Sequence, residues 1–175
     1  YADTQVLVET DFKNYVPQNL PPLIDYWHMS DFYGGTDTIK VIVQADDITE
    51  PKTMIWMDEF GFYLNSSRDQ IFAAMSIATL VKQANGGEMP KDQTTIRSII
   101  ESLPASVKNK YIDGHNTAII DLSLGKSLTN LGAEGTDRFV KEIDKDVAWY
   151  MPPPGVYVRE TGESVVRTAV ISALT

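Results

Sequence analysis

Thr38-Ile-Lys-Val-Ile-Val-Gln-Ala45, followed by Asp46-Asp-Ile-Thr-Glu50 and the run from Pro51 to Leu64, decides the fold of this 175-residue chain. Ile39, Val41, Val43 and Ala45 alternate with Thr38, Lys40 and Gln44, interrupted only by Ile42. A period of two in β-branched residues is the pattern of a half-buried strand. The next five residues turn the chain. Thr49 is placed to cap a helix, Pro51 suits its first turn, and Glu50 sets negative charge at the positive end of its dipole. Thr53, Trp56, Met57, Phe60, Tyr63 and Leu64 then form one helical stripe. Two amphipathic elements in succession must bury their faces in a shared layer.

A second copy of this pattern lies downstream. Thr117–Leu124 alternates, with Ala118, Ile120, Leu122 and Leu124 on one face and Asp121 and Ser123 on the other. Gly125–Gly135 reads as a linker. Thr136–Tyr150 then reads as a helix with Phe139, Val140, Ile143, Val147 and Tyr150 in register. Its outer face carries Asp137/Lys141 and Arg138/Glu142 at i, i+4. Met151-Pro-Pro-Pro-Gly155 stops it, and Val156–Thr161 reads as a last strand. Between the two copies, Ile71–Ser76 predicts a strand with Ile71, Ala73 and Met75 on one face. Asn65–Arg68 reads as a loop. Thr79 is placed to cap a short helix over 80–85, ended by Gly86-Gly87. Asp92 caps a helix over 93–103, and residues 105–116 read as polar chain with a turn at Asp113-Gly114.

Strand–helix–strand twice over is the split βαβ, ferredoxin-like arrangement: an α+β sandwich with an antiparallel sheet and its helices on one face. Residues 79–116 are then a helical insertion between the second and third strands. The expected domain spans 34–162, preceded by an extended, turn-rich segment 1–33 and followed by an apolar helix 163–175. Pro17, Pro21 and Pro22 exclude a regular helix in the first of these. Leu23–Phe32 has room for a short helix.

Composition narrows the function. A formal net charge of −9 argues against nucleic acid or an anionic membrane surface as the main partner. The absence of cysteine removes disulfides, thiolate metal sites and a cysteine nucleophile. No apolar run approaches the ~18 residues of a bilayer span. The first residue is Tyr1 rather than Met, as expected of a segment of a longer protein, with a processed mature chain as the alternative.

Chemistry is not evident in the side-chain pattern. His28 and His115 lack a second ligand at metal spacing and read as loop histidines. Asp46-Asp47 and Asp58-Glu59 are adjacent carboxylates that point different ways, unsuited to paired acid–base work. Gly34-Gly35 precedes a strand, the wrong order for a phosphate loop, and reads as a turn. Asp113-Gly-His-Asn116 reads as a hairpin turn, and Ser66-Ser67 has no base partner. Trp27, Trp56 and Trp149, with the tyrosines and methionines, suit either core packing or an apolar channel; the stripes favour packing. No catalytic, cofactor-binding or metal-ligating residue is assigned, and no cofactor is expected.

The residues also carry a resemblance. Glu9-Thr-Asp-Phe-Lys-Asn-Tyr-Val-Pro-Gln-Asn-Leu-Pro-Pro22 resembles the segment that follows the first membrane helix in exporters of the RND superfamily, in the MMPL or hydrophobe/amphiphile-efflux branch. Gly34-Gly-Thr-Asp37, Trp56-Met-Asp58, Ser76-Ile-Ala78 with Leu80-Val-Lys82, Pro152-Pro-Pro-Gly155, and Gly162 before an apolar stretch are similar to the same family, in the same order. The resemblance implies the first extracytoplasmic loop, or porter domain, of a longer membrane transporter. Its partners would be the membrane helices of its own chain, a second similar loop, and hydrophobic or amphiphilic cargo such as lipids or drugs. The proton-relay carboxylates of that family lie in membrane helices, so none is carried onto this chain. The alternatives are a free-standing ferredoxin-like binding or regulatory module and a small enzyme on the same fold. An acylphosphatase-like hydrolase would need an arginine in a phosphate-cradling loop, and no such loop is present.

Overall fold

The computed structural model describes residues 38–125 and 132–161. The expected segments 1–33 and 163–175, the Gly34–Asp37 turn, His28 and Trp27 lie outside them. The elements run β1 (Thr38–Gln44), α1 (Pro51–Ser67), β2 (Ile71–Ser76), α2 (Ile77–Ala84), α3 (Gln93–Ser102), α4 (Ala105–Tyr111), β3 (Ile112–Asp113), β4 (Thr117–Leu124), α5 (Gly132–Tyr150) and β5 (Tyr157–Thr161).

The sheet order is β2-β4-β1-β5, all pairs antiparallel, with the short β3 beside the start of β4. This is the ferredoxin-like order: each βαβ half is split by a strand of the other. Register places Val41 opposite Ile120, Ile39 opposite Leu122 and Val43 opposite Ala118, so the two central strands present an aliphatic face. Against it α1 buries Trp56, Met57, Phe60, Gly61 and Leu64. The two long helices lie side by side over that face. Phe60 and Tyr63 of α1 pack on Tyr150 of α5 at ring-centroid distances of 5.7 and 5.2 Å, and Trp56 Nε1 donates to the Tyr150 carbonyl at 3.3 Å. The predicted stripes therefore meet each other as well as the sheet.

Several details differ from expectation, each for a local reason. Thr49 does not cap α1: its hydroxyl donates to Asp47 Oδ1, and Glu50 is the cap residue without a side-chain bond. Helix α1 runs on through Ser67, where a loop was expected, with the Ser66 hydroxyl turned back onto the Phe62 and Tyr63 carbonyls. Strand β2 has a register shift between Ile71 and Ala73. Ile71 thus joins the helix-covered face, opposite Leu124, while Ala73 and Met75 pair with Ser123 and Asp121 on the other. Helix α2 starts at Ile77 because Ser76, not Thr79, is the cap; Thr79 supplies the reciprocal bond of a capping box. Helix α5 begins at Gly132, inside the expected linker.

The insertion also covers part of the second sheet face. Asp121 and Ser123 point away from α1, yet they are only 5% and 1% exposed. Helix α4, expected as irregular polar chain, buries Val107 and Tyr111 and brings Lys110 to within 3.5 Å of Asp121 Oδ2.

Candidate functional site

The β1–α1 turn is held by its own polar side chains. Asp47 Oδ1 accepts from the Thr49 amide at 2.9 Å and from its hydroxyl at 2.6 Å, closing a tight Asx turn. The same hydroxyl oxygen accepts from Gln93 Nε2 at 3.0 Å and Arg97 Nε at 3.1 Å, both on α3. Arg97 Nη2 completes an ion pair with Asp47 Oδ2. Burial alone would push the Asp47 carboxyl up, but the Thr49 bonds and the Arg97 bond and charge outweigh it and hold it below its ordinary 3.8.

The β3–β4 hairpin closes on the same turn. Ala45 N donates to the Asn116 carbonyl at 3.0 Å and Ile48 N to the His115 carbonyl at 2.9 Å. Gly114 supplies the turn with φ of 64°, a conformation that costs glycine little. These ties leave a cavity of about 480 Å³ among the β1–α1 turn, α3, α4 and the hairpin. Ile48, Ile100 and Ile112 give it apolar walls. Arg97 and Glu101 from α3, Lys108 and Asn109 from α4, and His115 from the hairpin give it polar ones. The volume falls in the range of small-molecule sites, roughly 300–1,000 Å³.

The residues singled out in the sequence fall as follows. His115 is exposed in the hairpin and lines the cavity. Asp113-Gly-His-Asn116 is the hairpin turn, as expected. Asp47 holds the β1–α1 turn, whereas Asp46 is exposed. Asp58 pairs with Lys82 of α2 at 2.8 Å, and Glu59 is exposed. Among the described residues no three His, Cys, Asp or Glu side chains gather as a metal site. Trp56 packs in the seam between the helices, while Trp149 is 77% exposed and is not a core residue. Arg97, Lys108 and Glu101 were not foreseen. The spacing of Val107 and Tyr111 after Pro104 is the signal that places Lys108 on a helix.

The helix seam is polar at its far end. Arg68 meets Asp146 through two nitrogens, each at 2.8 Å, and Glu142 at 3.0 Å. The hydrogen bond to Asp146 raises the Arg68 pKa beyond its usual value. Burial, with the charge of Glu59, pushes the Tyr150 hydroxyl up. These groups join α1 to α5 and serve the scaffold.

Comparison with known proteins gives a distant likeness to a membrane protein. The chain is 23% identical over 175 residues to a protein of Methanocaldococcus jannaschii named "Putative membrane protein MJ1562". The match covers 94% of this chain and 44% of the relative, so the chain spans less than half of that protein's length. No protein-family model matches the chain, and no solved structure matches it significantly. Among the described residues no helix is long and apolar enough to cross a membrane.

Proposed function

We propose that this chain is an extracytoplasmic, substrate-guiding porter domain of a secondary-active exporter of the RND type, moving hydrophobic or amphiphilic molecules out across the cell membrane. The observation that carries the reading is the near-full-length likeness to part of a larger protein named as a membrane protein. The RND-type motif order in the sequence adds the transporter class.

The fold is compatible with that role. Lys40 pairs with Thr161, so the start of β1 and the end of β5 lie side by side at one end of the sheet. A domain entered and left at one end can be set between two membrane segments without threading. The aromatic seam and the Arg68–Asp146 pair make α1, α5 and the sheet one body, able to rock as a unit while membrane helices alternate. In this reading the domain contributes a wall of the cargo path, has no catalytic turnover of its own, and works with the rest of its transporter chain and a second similar loop.

A second reading, a free-standing ligand-binding or regulatory module, is favoured by the cavity beside Arg97 and Lys108. Cell fractionation separates the two. An antibody against this domain should find the protein in the membrane fraction of its source cells, and protease added outside the cells should cleave it there. Recovery from the cytosolic fraction would remove the exporter reading.

A further inference from the structure

We infer that the cavity between the β1–α1 turn and helices α3 and α4 is a binding site for a small organic anion with a single head group: one carboxylate or phosphomonoester on a short aliphatic group. The inference does not rest on the exporter reading and assigns the site no part in moving cargo.

Three observations select this chemistry. The first is the balance of charges at the wall. Arg97 is engaged by Asp47 and Thr49, whereas Lys108 is half-buried against the cavity with no ion-pair partner among the described residues. A cation held partly out of water without a counter-charge gains from an anion brought beside it. Asn109, on the same helix, adds an amide donor to the lining.

The second is the limit on ligand charge. Asp47 is taken up by Arg97, and Glu101 stands on the same wall as Lys108. A single anionic head group completes the Lys108 end. A polyphosphate would bring excess negative charge against Glu101, at a cost set by like-charge repulsion.

The third is rigidity and shape. Ile48 is fully buried and Ile100 nearly so, and with Ile112 they present an aliphatic wall for the ligand's apolar part. The Ile48–His115 and Ala45–Asn116 backbone bonds and the Arg97 tie to Thr49 already fix the surrounding segments. Little ordering is left to be done on binding.

The test is an amide NMR titration of the 175-residue chain at neutral pH. The probes are hexanoate, hexyl phosphate, inorganic phosphate and hexylamine. Hexanoate or hexyl phosphate should give saturable shifts centred on Ile48, Lys108 and Gly114, with inorganic phosphate and hexylamine weaker or silent. Which of the two alkyl anions binds more tightly identifies the head group. Lys108→Gln should weaken the better probe about tenfold or more, as for a lost charge-assisted hydrogen bond, and Lys108→Arg should restore most of it. Glu101→Gln, at an exposed position, should tighten it. Hexylamine binding as well as the anions would overturn the assignment. So would the absence of saturable shifts with both alkyl anions, or affinities that neither Lys108→Gln nor Glu101→Gln changes.

Discussion

Arg68 and Asp146 form a two-point ion pair across the helix seam, with Nε and Nη2 each 2.8 Å from one carboxylate oxygen. The Asp146 side chain is 7% exposed and that of Arg68 25%. Fork-to-fork geometry fixes distance and angle together, so this contact sets how the end of α1 lies on α5. Tyr63 adds a third bond to the same carboxylate, at 3.3 Å.

Arg68→Met therefore leaves a buried carboxylate without its counter-charge. The expected loss is about 3 kcal/mol, near the lower end for broken buried pairs because the arginine is partly solvated. Removing both charges, as Arg68→Met with Asp146→Leu, should recover much of it. Urea unfolding of the two variants checks this: a double variant no more stable than Arg68→Met would contradict the account.

Gly61 lies where α1 comes nearest the sheet. A Cβ there would sit 3.5 Å from Ala74 Cβ and 3.8 Å from Ile120 Cγ2, ordinary contact distances. Gly61→Ala should thus stabilise the fold, by up to about 1 kcal/mol from helix propensity. Gly61→Leu should cost about 1–3 kcal/mol or more through overpacking. Thermal melts of the pair must move in opposite directions.

Asp47 makes stability depend on acid in a definite sense. Its folded pKa lies below the ordinary value of 3.8, so its stabilising bonds are fully present above that pH. They are lost as pH falls through the lower folded value. Asp47→Asn should cost about 1–2 kcal/mol at neutral pH, and the gap from the wild-type chain should shrink below pH 3.8. Denaturant midpoints measured down the acid range check it; a gap that widens in acid has the wrong sign.

Much of the scaffold was legible because its signals are periodic. Ile39, Val41 and Val43 alternate and Trp56, Phe60 and Leu64 recur at helical spacing, and burial follows both patterns. What escaped depends on partners distant in sequence. The shift beside Phe72 arises from pairing with β4, so period two alone set Ile71 and Met75 on one face wrongly. Thr49 looked like a cap because its type and position fit one; Asp47 and Arg97 compete for its hydroxyl, and they win. The cavity takes its lining from the β1–α1 turn, α3, α4 and the β3–β4 hairpin, brought together by the Ile48–His115 and Ala45–Asn116 bonds. Only Asp47 and His115 of its charged or titratable lining stood out beforehand, and for other reasons. Helix α4 went unseen because Lys108, Asn109 and Lys110 make it polar apart from two buried positions.

The coding sequence on either side of this segment tests the central claim most directly. A porter domain set between two membrane helices requires an apolar stretch of about 20 residues shortly before Tyr1 and another continuing at or after Thr175. Sequencing the gene outward from both ends should reveal both. A start codon directly before Tyr1 with a stop codon directly after Thr175 would contradict the account.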